Sequence, residues 1–341
     1  MKYKGGKLET NGRNDMKSFQ GKRAVVTGGG TGMGRELAVQ LATEGSAVAM
    51  CDVSSENMAE TKRLCEKAAP LGTKITTHVC DVSDEKQVIA FRDAVAKAHS
   101  EAVDLLFNNA GIGGGGSFVA GDRVEWERTF AVCWWGVYYC TRAFMPLVVT
   151  SPEACIVNTS SVNGFWASLG PGAPHTAYSS AKFAVKGFSE ALIEDLRVHA
   201  PHVKVAVVMP GHIGTSIVAN SRAVLGKPPY LEMSTEEVAE SRRLLKQRGL
   251  AVDDWNDDLI RQAMHQFQSI FEASAPVSAA EAAKIILDGV RNGRWRILVG
   301  EDARVLDEMV RRDPENAYEA AFMGELRAAG HFGGVASEES A

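Results

Sequence analysis

The sequence has no run of about eighteen apolar residues, the length a helix needs to span a membrane core. Its opening stretch, MKYKGGKLETNGRNDMKSFQ, contains no apolar block of the kind a secretion signal requires. A dominant charge is also missing: 37 Lys and Arg stand against 42 Asp and Glu, the formal net charge is −5, and the two signs are interspersed. Nucleic-acid binding by phosphate neutralisation needs a concentrated basic surface, and none is visible. The six cysteines, Cys51, Cys65, Cys80, Cys133, Cys140 and Cys155, form no short-spaced pair that would mark a metal or redox site. They read as free buried thiols in a reducing compartment, and no metal is expected. These absences point to a soluble cytoplasmic protein that binds neither nucleic acid nor membrane, with residues 1–20 as a loose leader.

What is present is a regular alternation. A strand over residues 23–27 runs into Gly28, Gly29, Gly30, Thr31, Gly32, Met33 and Gly34, and a helix with Leu37, Ala38 and Leu41 on one face follows. A glycine turn between a strand and a helix presents free N–H groups and a helix N-terminus to an anion, without side chains to block a pyrophosphate. The second strand, 47–51, ends at Asp52, placed 24 residues after Gly28 to accept both hydroxyls of an adenosine ribose and repel a 2′-phosphate. That favours NAD over NADP. The same carboxylate can cap the next helix.

A third strand, 74–80, delivers Asp81 and Val82, where a carboxylate can meet an adenine ring or cap the next turn. A fourth, 103–107, delivers Asn108, Asn109, Ala110 and Gly111; the amides can lock neighbouring loops, and the small residues leave room for a flat ring. Residues 123–149 hold seven aromatics, a pattern expected of core or subunit interface. A fifth strand, 154–159, leads to Ser161, and a helix from 177 carries Tyr178 and Lys182 four residues apart, on one face. A cation beside a phenol favours the phenolate, so this pair suits proton transfer while Ser161 holds a carbonyl or alcohol oxygen. The apolar strand 203–209, stopped by Pro210 and Gly211, and a last strand over 295–299 complete about seven strands.

This pattern predicts an α/β fold: a doubly wound, mostly parallel, Rossmann-like sheet whose ligand lies beyond the carboxyl ends of the strands. The catalytic domain is expected over 21–300, with a helical insertion over about 215–275 walling the substrate side and a helical extension with a tail over 301–341. Within the insertion, Ser234 with Glu237 fits a capping box, as does Ser278 with Glu281 beyond it.

The ordered set Thr27, Gly28, Gly32, Gly34, Asp81, Asn108 to Gly111, Ser161, Tyr178, Lys182, Pro210, Gly211 and Thr215 resembles the short-chain dehydrogenase/reductase family across residues 22–300. The resemblance implies a nicotinamide oxidoreductase, commonly a homodimer or homotetramer built on the long fourth and fifth helices. It implies Tyr178 as acid/base, Ser161 as the group that orients substrate, and Lys182 as the residue that binds the nicotinamide ribose and lowers the tyrosine pKa. Thr215 and the backbone at Ile213 are then expected at the carboxamide. Two positions depart from the family. Cys133 stands where an asparagine is usual, and the serine-to-tyrosine spacing of 17 is longer than usual. The longer stretch makes Phe165, Trp166, Leu169 and His175 candidate substrate contacts.

The reading expected from the sequence is an NAD-dependent interconversion of a secondary alcohol and its ketone. Ile217, Tyr230, Leu231 and Met233 favour a bulky, mostly apolar substrate. The alternatives are an inactive dinucleotide-binding sensor or scaffold, an NADP-dependent carbonyl reductase and an NAD-dependent epimerase.

Overall fold

The computed structural model describes residues 16–170, 173–247 and 249–331. Most of the expected leader, the end of the tail and two residues of the stretch before Tyr178 lie outside that description. In chain order the first half runs β1 (Arg23–Thr27), α1 (Gly32–Thr43), β2 (Ala47–Asp52), α2 (Ser55–Ala68), β3 (Ile75–Val79), α3 (Glu85–His99), β4 (Leu105–Asn108) and α4 (Arg123–Phe130). After a π-helical turn at Ala131–Trp135 come α5 (Gly136–Thr150), β5 (Ala154–Thr159), α6 (Thr176–His199) and β6 (Val203–Pro210). Then follow β7 (Ile213–Gly214), α7 (Ile217–Val224), α8 (Thr235–Gln247), α9 (Asp257–Ala273), β8 (Val277–Ser278), α10 (Ala279–Arg291), β9 (Arg296–Val299), α11 (Glu301–Arg312) and α12 (Ala320–Ala328).

Seven of the strands form one sheet in the order β3-β2-β1-β4-β5-β6-β9, and every neighbouring pair is parallel. Both faces are covered, so alternate residues of one strand enter different cores. Ala24 and Val26 join Leu37, Leu41, Ile286 and Leu287 under α1 and α10, whereas Val25 joins Phe91, Phe144, Leu147 and Leu192 under α3, α5 and α6. The chain leaves β3 at one edge and re-enters at β4, on the other side of β1. That reversal opens a crevice at the carboxyl ends of β1 and β4, where a doubly wound sheet takes its ligand.

Among the described residues the insertion holds three helices, α7 before the Pro228–Pro229 turn and α8 and α9 after it. Its expected capping box is present: Glu237 N–H donates to Ser234 Oγ at 3.2 Å and Ser234 N–H to Glu237 Oε2 at 3.0 Å. At the head of α10 only the Glu281 N–H to Ser278 Oγ bond, 3.2 Å, recurs. α8 and α9 enclose a small core of their own, Met233, Val238, Leu245, Val252 and Ile260. The C-terminal helices α11 and α12 form another with Val162 and Trp166. Among the described residues no helix is long and apolar enough to cross a membrane.

At the opposite, amino end of the strands, Asp104 ties β1 to β4. Its carboxylate takes Arg23 Nε and Nη2 at 2.8 Å, Arg23 N–H at 2.7 Å and the Ser151 hydroxyl at 2.6 Å. Burial alone would raise the Asp104 pKa, but the bonds from Arg23 and Ser151 prevail and hold it below the ordinary carboxylate value. A depressed folded-state pKa contributes stability that is present above the unfolded value and lost as pH falls through the folded one. Asp104→Ala should therefore cost about 3 kcal/mol at neutral pH, and denaturant titrations should show the difference from wild type shrinking in acid.

Candidate active site

The glycine turn is held open by hydrogen bonds from its neighbours. Thr27 Oγ1 accepts the N–H groups of Asn109 and Ala110, each at 3.0 Å, and the Asn109 amide donates to Thr27 O at 3.1 Å. The turns after β1 and β4 are thereby locked together. Gly28 sits at φ +66°, and a Cβ there would stand 2.8 Å from Ala110 Cα, so only glycine satisfies both the conformation and the contact. At Gly34 a side chain would collide with the Gly28 carbonyl. The first turn of α1 carries no acidic residue, which leaves its N-terminal partial charge for an anion. Gly32 lies against Thr215, and Met33 packs on the core beneath α1.

Asp52 ends β2 facing this turn. One carboxylate oxygen takes the Gly30 N–H at 3.0 Å and the other the Ser54 N–H at 3.1 Å. The next helix is capped by Ser54, whose side chain accepts the Asn57 N–H. Arg35, which sequence reasoning passed over, braces the turn from behind, donating to Gly30 O at 2.6 Å through Nη2. Asp81 is held by the Ser83 N–H at 3.0 Å and by an ion pair with Arg128 of α4 at 2.7 Å. Val82 is buried, its side chain packed where any residue but glycine at 136 would collide with it.

On the other side of the crevice, Ser161 caps a short 3-10 turn, Val162–Gly164, by accepting the Asn163 N–H at 3.1 Å. Its hydroxyl also reaches the Tyr178 phenol. Lys182 is 2% exposed and donates from Nζ to Thr159 O at 2.8 Å, while Ser160 Oγ donates to the Lys182 carbonyl at 2.7 Å. Its ammonium lies 5.3 Å from the centre of the Tyr178 ring. A Cβ at Gly111 would stand 3.4 Å from that nitrogen, so glycine keeps the approach from the crevice clear. Asn108 donates to Thr141 Oγ1 at 2.9 Å and Asn158 Oδ1 at 2.8 Å, and Asn158 donates to Ser189 Oγ at 3.0 Å. This buried chain joins β4, β5, α5 and α6 behind the site.

The structure thus brings Ser161, Tyr178 and Lys182 together, with Gly111 beside them. It corrects the expected electrostatics. Burial pushes the Tyr178 phenol well above its ordinary value, and the bond from Ser161 only partly opposes this; burial lowers Lys182. The ammonium is directed at the Thr159 carbonyl, so the protein alone holds Tyr178 as a neutral phenol at neutral pH. Cys133 lies within the π-helical turn and donates its thiol to Ile112 O at 3.2 Å, which holds the end of the 108–112 turn.

Several expected substrate contacts face elsewhere. Trp166 is 1% exposed, donates Nε1–H to Ala317 O at 2.7 Å and lies against Phe322, so it belongs to the seam with the C-terminal helices. Phe165 packs on the same cluster, with the Arg296 guanidinium 5.8 Å from its ring centre. Met233 is buried in the core of the insertion and is not free to line a substrate path, whereas Tyr230 is half-buried against that core with the Arg222 guanidinium 4.1 Å from its ring centre. His175 does stand at the site, its ring 4.6 Å from that of Tyr178, and burial brings its pKa down to about 4, leaving it neutral. Leu169 and Leu231 are exposed, and Ile217 is half-buried at the head of α7.

α7 also supplies residues the sequence did not reveal. Asn220 donates to Thr31 Oγ1 at 2.7 Å, and Ser221 Oγ accepts the Gly113 N–H at 2.8 Å. Pro210, the last residue of β6, pairs with Val299, Ile213 with Val277, and Gly211 N–H donates to Val299 O at 2.9 Å. No local pattern marks such long-range partners.

Comparison with known proteins follows the same outline. The sequence model of the family described as short chain dehydrogenase matches residues 22–225. The chain is similar to the SadH protein of Mycobacterium tuberculosis, at 36% identity over 296 residues, 87% of this chain and 92% of that one. It is also similar to levodione reductase of Leifsonia aquatica, at 33% identity over 60% of this chain and 73% of that one. Among solved structures, a short chain dehydrogenase/reductase from Burkholderia phymatum in complex with NAD superposes with a TM-score of 0.70 and 27% identity, covering 89% of this chain and 97% of that one. Trp166→Ala should cost about 3–5 kcal/mol in denaturant unfolding while leaving the KM for substrate within about twofold; a substrate contact would give the reverse pattern.

Proposed function

From the premise that the chain belongs to the short-chain dehydrogenase family, and is therefore an oxidoreductase, we propose that it interconverts a secondary alcohol and its ketone with NAD(H). The observation that carries this reading is the convergence of Ser161, Tyr178 and Lys182 at the carboxyl edge of the sheet, facing Gly111. Gly28, Gly30, Gly32 and Gly34, with the N-terminus of α1, form the cradle for the pyrophosphate. Asp52 takes the ribose hydroxyls, Asp81 with Val82 borders the adenine, and Asn109, Ala110 and Gly111 border the ribose and ring. Pro210, Gly211, Ile213 and Thr215 hold the carboxamide end. NAD, when bound, supplies the acceptor for the carbinol hydride, and its reduced form supplies the donor for the reverse reaction.

In this proposal Ser161 and Tyr178 hold the substrate oxygen between two hydroxyls. Tyr178 gives its proton to a carbonyl oxygen in reduction and takes one from an alcohol in oxidation. An ammonium carries three protons; with one committed to Thr159 O, Lys182 keeps the others for the nicotinamide ribose and the proton path. Asp52 supports NAD over NADP because its carboxylate, anchored by Gly30 and Ser54, would oppose a 2′-phosphate. The relative from Burkholderia phymatum, solved with NAD, supports the same choice. The substrate is a mostly apolar alcohol or ketone approached past His175, Leu169 and Ile217. We further assign the π-helical turn with α5, and α6, to a homodimer or homotetramer interface, since Trp135 and Phe183 each leave 41% of their surface exposed and Trp134, Tyr138 and Tyr139 are half-buried.

Because burial favours the phenol, the proton donor for reduction is present at neutral pH and is lost only as pH rises through the raised Tyr178 value. Oxidation needs the phenolate, so its rate should climb between about pH 7 and about pH 10 while ketone reduction stays nearly flat. Stopped-flow or steady-state profiles in both directions test this, and Tyr178→Phe should lower kcat by at least about 100-fold with NADH affinity nearly unchanged. Asp52→Ala should weaken NADH and narrow its advantage over NADPH in fluorescence titrations; an unaltered ratio would remove Asp52 from the discrimination.

A further inference from the structure

Asp302 lies outside the site described above, in the first turn of α11, and is 3% exposed. Its carboxylate reaches back across the ends of the last two sheet strands. Oδ2 accepts the His212 N–H at 2.6 Å. Oδ1 is buried without a hydrogen-bond partner. The group fits a slot left by two glycines, one after each strand: a Cβ on Gly211 or on Gly300 would collide with the carboxylate. These turns are already neighbours, because Pro210 pairs with Val299 and Gly211 N–H donates to Val299 O at 2.9 Å.

The segment beyond Gly211 is also gripped from the insertion. The His212 ring is 2.6 Å from Phe271 O through Nε2 and lies tilted against the Phe271 ring at 4.3 Å, and Ser216 Oγ meets Glu272 at 3.3 Å. His212 is therefore the point where the C-terminal extension, through Asp302, and the insertion, through α9, hold one backbone segment. Ile213 and Thr215 follow directly.

We propose that Asp302 is a positioning residue for the nicotinamide end of the cofactor. Its carboxylate fixes the backbone at His212, and with it the placement of Ile213 and Thr215. The C-terminal extension thereby becomes part of the apparatus that aligns the ring for transfer. This inference rests on the reading that Thr215 and the Ile213 backbone hold the carboxamide.

The test uses the full chain and two ligands, NADH and ADP-ribose, the latter lacking the nicotinamide. Asp302→Ala should lower kcat for ketone reduction about tenfold or more and weaken NADH, while the Kd for ADP-ribose stays within about twofold of wild type. Asp302→Asn keeps an oxygen to accept the His212 N–H and should recover most of the loss. Equal weakening of NADH and ADP-ribose by Asp302→Ala would overturn the proposal, since the residue would then serve the fold as a whole. An Asn variant as impaired as the Ala variant would overturn it too. Thr215→Ala separates the premise: if it leaves NADH affinity and kcat unchanged, the carboxamide reading fails. If Thr215→Ala is impaired and Asp302→Ala is not, that reading stands and the inference about Asp302 falls.

Discussion

The arrangement depends on how closely α6 approaches the turn that follows β5. Lys182 is bound there at both ends, its ammonium to the Thr159 carbonyl and its own carbonyl to the Ser160 hydroxyl. Gly164 is required at the contact, since a side chain would collide with Ser160 Oγ and stand 2.8 Å from Lys182 O. A buried ammonium is costly unless it is hydrogen-bonded. The energy of satisfying it therefore enforces the placement that puts Tyr178 beside Ser161. The Asn108, Asn158 and Ser189 chain repeats the device one layer deeper, where polar groups that pair only in one registry specify how strands and helices meet.

Much of this was legible in the chain. Apolar runs located the strands, and the glycine turn located the crevice because it is dictated locally: Gly28 needs its positive φ, and Gly34 needs its missing side chain. The i to i+4 spacing put Tyr178 and Lys182 on one helix face for the same reason. Trp166 was misread because its neighbours are 151 and 156 residues away in sequence, at Ala317 and Phe322. Nothing in FWASLGPGAPH distinguishes an aromatic that faces a crevice from one covered by a later helix. Met233 failed likewise, because the insertion contains enough apolar residues to build a core for itself.

The electrostatic expectation failed for a different physical reason. A spacing fixes which face a residue occupies but not how far its charge stands from a given oxygen, and the Coulomb energy depends on that distance and on the local dielectric. In this fold desolvation outweighs the lowering effect of Ser161 at Tyr178, and the ammonium is turned to the Thr159 carbonyl. The protonation state of Tyr178 is thus set by burial, a property of the whole packing around α6.

The order in which the strands are joined has a consequence for biosynthesis. β9 pairs with β6, yet some 86 residues separate Pro210 from Arg296, and Asp302 follows later still. Contacts between distant segments form late, because the intervening chain must first be ordered. A nascent chain that has emerged as far as β6 already carries Ser161, Tyr178 and Lys182, while the edge of its sheet is still uncovered. During synthesis that edge has unpaired backbone groups and needs shielding from other chains. β9, the last of the described strands, both covers this edge and, through the Gly211 N–H to Val299 O bond, fixes the turn that leads to His212, so protection from misassembly and the shape of that turn arrive in one step.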